Sequence, residues 1–360
     1  TYLKRLADAG NKAVEKYLEE LSIAEKTETT VITTHDRLLV FKNKKHKAII
    51  IDEDILKTLL PLDICAVDDL HTLSRKLDLM STQRVILDVL LEKIEREPEQ
   101  VIYNTPKHIF KHMWEAENII KNSVVSSNVL GFLSSSLYMK EVIAGKTYVR
   151  FIGKRLLPTH TKIIILSATV NPEYIARASG DYSNNIEPRI THTHNIGHVK
   201  PMGTLKQCCK LSFSRYQLEH GKGHIEKARA IVGDNPVITF KARENDFPNT
   251  IATFGALRGL DSFAGQDLYI VGTPHIHPTA YVLYGAMLGA YSPFALINND
   301  NTKEALKPQI VQYGSYEFYF NTYADNYPLQ QLQLYLIESE LIQAIGRARL
   351  LRHDCTVTVL

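Results

Sequence analysis

Three groups of residues have the types and spacing to carry chemistry. The first is Asp52-Glu53-Asp54, directly after Ile49-Ile50-Ile51. A carboxylate at the exit of a buried strand can hold Mg2+ through water, and the acid beside it can orient or deprotonate an attacking water. The plain alternative is a strand that ends in a solvated acidic turn. The second group is Ser167-Ala168-Thr169, small and polar, after the apolar run Ile163-Ile164-Ile165-Leu166. The third is Gln343-Ala-Ile-Gly346-Arg347-Ala-Arg349, which sets two permanently charged, planar guanidinium groups beside a glycine. Its plain alternative is a helix whose basic last turn offsets the helix dipole.

Apolar periodicity indicates the elements that must position these residues. A helix is expected over residues 2–25, where Leu3, Leu6, Ala7, Val14, Tyr17, Leu18 and Leu21 recur at helical spacing. Strands are expected at Thr30-Val-Ile-Thr-Thr34 and Ala48-Ile-Ile-Ile51. The latter is a continuous apolar run, the pattern of a parallel strand covered on both faces. Its acids would then emerge at the C-terminal edge of the strand, where open α/β sheets place ligands. Helical stretches at 68–76, 81–96 and 105–121 and a hairpin around Thr147–Lys154 read as a mainly helical insertion over 61–155, after which Lys162–Leu166 resumes the first sheet. Residues 180–200, rich in Asn, Pro, Gly and His, read as a linker. Beyond it, a helix (223–232), strands (236–240 and 267–274), a hairpin (309–323), a helix (330–347) and a last strand (356–360) form a second alternating unit. The expected class is α/β: a partial first lobe over 1–60 and 156–180, the insertion over 61–155, and a second lobe over 181–360.

Composition narrows the function classes. At 360 residues the chain is long enough for two to three domains, and 44% apolar with 22% charged residues excludes a disordered or fibrous chain. With 42 Lys+Arg against 39 Asp+Glu, the net charge of +3 is too small to attract nucleic acid by its bulk field, so such affinity would need a local basic stripe. Cys65, Cys208, Cys209 and Cys355 show neither a disulfide framework nor a zinc spacing, so a reducing, cytoplasmic setting is expected. No apolar run approaches the ~20 residues that span a bilayer, and no membrane association is expected. The chain opens on Thr1 rather than Met, from which a missing natural N-terminus is expected.

In order and spacing, Asp52 and Glu53 (motif II), Ser167, Ala168 and Thr169 (motif III), and Gln343, Gly346, Arg347 and Arg349 (motif VI) resemble the superfamily 2 helicases of the DEAD/DEAH-like type. The QxxGRxR element is the most specific of these matches. Thr34-His35-Asp-Arg-Leu38 is similar to the segment before motif II in helicases of the XPD and DinG kind, which implies that Thr34 and His35 lie near a single strand or the cleft. An ordinary turn histidine is the alternative. Ala256-Leu-Arg258-Gly259-Leu-Asp261 resembles motif V, in which Arg258, Gly259 and Asp261 would link nucleotide state to the nucleic-acid backbone. Val237-Ile-Thr239-Phe-Lys241 would be motif IV, and the insertion occupies the position of the arch domain.

The resemblance implies two RecA-like parallel-sheet lobes, the first incomplete, with ATP and Mg2+ as cofactors. Asp52 and Glu53 would hold the metal, and Glu53 would activate the water. Arg347 and Arg349 would be arginine fingers, assisted by Gln343. Asp52, Gly346, Asp261 and Gly259 would line the nucleotide. Single-stranded nucleic acid, DNA in the first instance, would be the partner.

Two features depart from the pattern. No GxxxxGK[ST] stretch occurs; Ala144-Gly145-Lys146-Thr147 has Lys140 where the leading glycine belongs, runs into a hairpin pattern and follows rather than precedes Asp52. A phosphate-cradling loop is therefore expected upstream of Thr1. With no cysteine before Cys65, the four-cysteine cluster of some such helicases has no ligands here. Lys107, Lys111, Arg150, Lys154 and Arg155, with Tyr148 and Phe151, could contact a strand or be simply solvated face and core. Beside the ATP-dependent helicase or translocase stand two other readings: a non-catalytic nucleic-acid-binding module derived from a helicase, and a two-metal nuclease built on Asp52, Glu53 and Asp54. The last leaves Gln343–Arg349 unexplained.

Overall fold

The computed structural model describes residues 7–26, 30–40, 47–99, 101–107, 109–110, 113–121, 123–158, 161–180, 193–194, 199–208, 210–257, 262–290, 306–323 and 325–360. The fold is mixed α/β with parallel sheets, in two compact units, Thr1–Ile190 and Thr191–Leu360.

The first unit opens with α1 (Lys12–Lys26) and α2 (His35–Val40), then β1 (Ala48–Asp52) and a single-turn α3 (Leu56–Leu59). The strand expected at Thr30–Thr34 does not form. A β-branched run becomes a strand only where a neighbour offers pairing; here Thr34 O instead accepts the Leu38 N–H at 2.9 Å, and α2 starts. β1 pairs in parallel with β6 (Lys162–Leu166), residue for residue from Ala48↔Lys162 to Asp52↔Leu166, and α8 (Pro172–Ser179) follows. One face of this pair is covered: Ile51 is 1% exposed, and Ile55, Leu56 and Leu59 just after it are buried as well. The other is not, with Ile50 67% and Leu166 53% exposed, so the expectation of burial on both faces fails for this strand.

Between β1 and β6 the chain builds β2 (Leu62–Ala66), α4 (Val67–Lys76), α5 (Thr82–Arg96), β3 (Ile102–Asn104), α6 (Met113–Ile120), α7 (Val129–Leu133), β4 (Leu137–Ile143) and β5 (Lys146–Ile152). The insertion is thus not only helices and one hairpin: its four strands form an antiparallel sheet in the order β2-β5-β4-β3. It has a core of its own, in which Leu70, Leu73, Leu87, Leu91 and Ile94 of the helices meet Phe132, Tyr138, Val149 and Phe151. Among the described residues, the helix expected over 105–121 is Met113–Ile120. Pro106 excludes the residue before it from helical backbone and leaves no N–H to join a first turn.

Ala144 and Gly145 form a two-residue hairpin turn between Ile143 and Lys146, with φ of 49° and 75°. Positive φ at both central positions is what such a turn requires. This accounts for the glycine of the Ala144–Thr147 tetrapeptide by turn geometry, with no phosphate involved.

The second unit carries β7 (Thr204–Gln207), α9 (Arg215–His220), α10 (His224–Val232), β8 (Val237–Thr239), β9 (Thr250–Thr253), β10 (Leu268–Ile270), α11 (Pro278–Met287), the hairpin β11 (Lys307–Tyr313) and β12 (Tyr316–Thr322), α12 (Tyr327–Gly346) and β13 (Thr356–Val359). Five strands pair in parallel in the order β7-β13-β10-β8-β9. Alternate residues feed two cores: Val237 and Val271 join Phe213, Ala228 and Phe240 on one face, and Ile238 and Ile270 join Ala344, Ala348 and Val357 on the other. A sheet covered on both faces needs such unbroken apolar strands. α12 begins earlier than its apolar pattern because the Asn326 side chain accepts the Leu329 N–H and Pro328 fits the first turn.

Candidate functional site

In the first unit the site is an edge. Because β1 and β6 run parallel and in register, Asp52-Glu53 and Ser167-Ala168-Thr169 leave the sheet side by side. Asp52, the last residue of β1, is exposed. Glu53 turns the chain with φ of 77°, and its N–H donates to Leu166 O at 2.8 Å, fastening the turn to the neighbouring strand's exit. Such backbone costs a residue with a Cβ on the order of 1–2 kcal/mol, so strain is concentrated at the acid proposed to activate water.

The third acid has a local task. Asp54 is buried, and its Oδ1 accepts the Leu56 N–H at 2.8 Å at the start of α3. This removes the third carboxylate from the nuclease reading. Among the described residues no three or more His, Cys, Asp or Glu gather as a metal cage. An Mg2+ at Asp52 and Glu53 would accordingly share its coordination with phosphate oxygens and water, as this ion commonly does.

Two further sequence candidates join this edge. Ser167 Oγ accepts the Thr169 N–H at 3.1 Å and lies 3.3 Å from Thr169 Oγ1, a local turn that holds both hydroxyls after β6. His35, the first residue of α2, has Nε2 2.8 Å from Asp52 O. Thr34 sits just before it, and its carbonyl closes the first turn of α2.

In the second unit, Gln343 and Gly346 lie in the last turn of α12, and Arg347 is the residue after its end. The arginines therefore do not both ride on the helix. Arg347 is 7% exposed, whereas Arg349 is exposed and left-handed, with φ of 57°. The Arg347–Arg349 turn is closed by N–H donation from Arg347 to Ala344 O at 3.1 Å and from Arg349 to Gly346 O at 3.1 Å. A Cβ at Gly346 would meet nothing within 4 Å; internal packing does not demand glycine there. Arg258, Gly259 and Asp261 lie outside the described residues.

Three of the insertion's basic and aromatic candidates are committed to structure, whereas Lys107 and Arg155 are exposed and Lys111 lies outside the described residues. Arg150 makes a two-pronged ion pair with Glu141, at 2.8 and 2.9 Å, Phe151 is in the core, and Lys154 Nζ donates to Arg177 O at 3.3 Å. Cys65, Ser127 and Asp69 have the composition of a nucleophilic site but serve to hold a loop: Asp69 Oδ2 accepts from Ser127 Oγ at 2.6 Å and from two backbone N–H groups. Burial pushes the Cys65 thiol up to about 12, far from a thiolate at neutral pH.

No family model matches the chain, and no curated protein does. Among solved structures it is similar to one described as XPD helicase, at 13% identity and a TM-score of 0.39, over 87% of this chain and 64% of that one. It is similar also to one described as XPD APO, at 12% identity and a TM-score of 0.35, over 87% of this chain and 72% of that one. A likeness this remote assigns neither a family nor an activity. Among the described residues, no helix is long and apolar enough to cross a membrane.

Proposed function

We propose that the chain is the greater part of an ATP-dependent nucleic-acid helicase or translocase with two RecA-like lobes, acting on single-stranded DNA in a reducing, cytoplasmic setting. The observation that carries the reading is the register Asp52↔Leu166, by which an Asp-Glu pair and a Ser-Ala-Thr turn share one sheet edge. Asp52 would hold Mg2+ through water, and Glu53 would orient the attacking water and take its proton. Mg2+ and ATP, when bound, supply the metal charge and the transferable phosphoryl group. Arg347 and Arg349 would neutralise charge developing on phosphate, with Gln343 beside them and the open space at Gly346 for close approach of the nucleotide. Arg258, Gly259, Asp261, Thr34 and His35 would answer to the strand.

A strand-binding module without turnover is the second reading, favoured by the lack of a GxxxxGK[ST] stretch in these 360 residues. Displacement of a labelled strand from a duplex with a single-stranded overhang separates the two. The motor requires ATP for displacement; the module binds the strand with steep salt dependence and is indifferent to ATP.

A further inference from the structure

Bulk charge does not draw this chain to nucleic acid, but the charge is unevenly spread. From Lys200 to Lys227 there are six basic residues and two acids, whereas the whole chain is only +3. The six, among them Lys210, Arg215 and Lys222, are exposed, and among the described residues none of them pairs with a carboxylate. Arg150 of the insertion and Arg229 of α10, by contrast, have acid partners.

The middle of this segment is shaped as well as charged. Arg215, the first residue of α9, sets its guanidinium over the Phe240 ring, 4.8 Å from the centroid, an attraction that holds the cation in place. Phe240 directly follows β8 and is 2% exposed. Gly272, beyond the end of β10, has φ of 108°, and a Cβ there would stand 2.7 Å from Phe240 Cζ; glycine is what lets the ring lie against the neighbouring strand's exit. The cation is thus fixed at the C-terminal edge of the parallel sheet, where open α/β sheets place ligands. Tyr216, the next residue, stacks on His220 with ring centroids 4.6 Å apart, and His220 Nδ1 donates to Tyr216 O at 3.2 Å. The tyrosine is nevertheless 67% exposed.

A held cation without a counter-charge, next to a held aromatic ring that stays wet, fits a ligand in which phosphates alternate with flat bases. An acidic peptide would use the charge and leave the ring idle. We propose that Arg215 and Tyr216, flanked in the chain by Lys210 and Lys222, form a surface for single-stranded nucleic acid, on which Arg215 takes a backbone phosphate and Tyr216 stacks on a base. The proposal rests on the nucleic-acid part of the reading above and needs no ATP.

The test is fluorescence anisotropy of labelled oligo(dT) on the full chain without nucleotide, over a series of salt concentrations, alongside DNA-stimulated phosphate release from ATP. Arg215→Gln should weaken binding several-fold and flatten the slope of log affinity against log salt by about 0.7, the share of one phosphate contact on a single strand. Arg215→Lys, which keeps the charge, should keep the slope even where the stack on Phe240 is lost. Tyr216→Ala should weaken binding about tenfold with the slope unchanged, and Tyr216→Phe should bind as the wild type does. Wild-type affinity and slope in both R215Q and Y216A overturn the surface; the motor reading then stands if DNA still stimulates phosphate release. An effect of R215Q with none of Y216A, or inorganic polyphosphate competing as well as oligo(dT) at equal phosphate, means that charge alone is read and overturns the stacking role. Binding with the expected signatures but no phosphate release overturns the motor and keeps the surface. A wild-type chain that binds no oligonucleotide overturns the surface and the strand-binding part of both readings.

Discussion

His35 Nε2 donates to the main-chain carbonyl of Asp52 across 2.8 Å. A carbonyl only accepts, so Nε2 carries the hydrogen of this bond, and the other ring nitrogen is Nδ1. That nitrogen is buried, with no hydrogen-bond partner among the described residues. One imidazole thus fixes the orientation of the peptide that delivers Asp52 to the edge. His35→Ala should lower the stability of the first unit by about 1 kcal/mol, read as a lower urea midpoint. It should also reduce ATP turnover, because the Asp52–Glu53 peptide loses its anchor.

The neighbouring acids separate by role. Asp54→Ala removes the acceptor for the Leu56 N–H and should cost about 1 kcal/mol, with Asp54→Ser recovering most of it. Asp52→Ala, at an exposed position, should leave the urea midpoint nearly unchanged and abolish turnover. Equal destabilisation by both would contradict the division.

Backbone strain at Glu53 and Arg349, with φ of 77° and 57°, gives a comparison free of side-chain effects. At each position the glycine variant should be more stable than the alanine variant by about 0.5–1 kcal/mol. Both variants lose the side chain and should be inactive alike. Chemical denaturation of the pairs checks the first statement and phosphate release the second.

His275 stacks on Phe320 with ring centroids 5.0 Å apart, and burial pulls its pKa down to about 4 from 6.5, with the Arg215 charge adding to the shift. Between those values the unfolded chain binds a proton that the folded one refuses. The contribution is therefore present above pH ~6.5 and is lost as pH falls towards ~4. Thermal denaturation followed over this interval should show a falling midpoint, and His275→Phe should flatten the dependence.

Long apolar runs are the most legible part of the sequence. Ala48–Ile51 and Lys162–Leu166 read as parallel strands although about a hundred residues separate them, and β1 pairs with β6. The last helix, the last strand and the hairpin over Lys307–Thr322 are also visible in their patterns. β2 and β3 are not, since Asp63 interrupts the first and the second is three residues long; their pairing comes from partners far along the chain. The order of the acidic, Ser-Ala-Thr and arginine groups is legible because side-chain type is local information. The bond of Asp54 to the Leu56 N–H, the left-handed turns at Glu53 and Arg349, and the reach of His35 to Asp52 O and of Glu340 to Gly255 depend on placement in the fold, which no residue type signals.

The most direct test of the account is phosphate release from ATP, with and without single-stranded DNA, by the natural protein and its Glu53→Gln variant. The account predicts DNA-stimulated release that the variant loses while still binding nucleotide and strand. Unchanged release in E53Q would contradict the role of Glu53. No release from the wild type with strand binding intact would contradict the motor and leave the binding module.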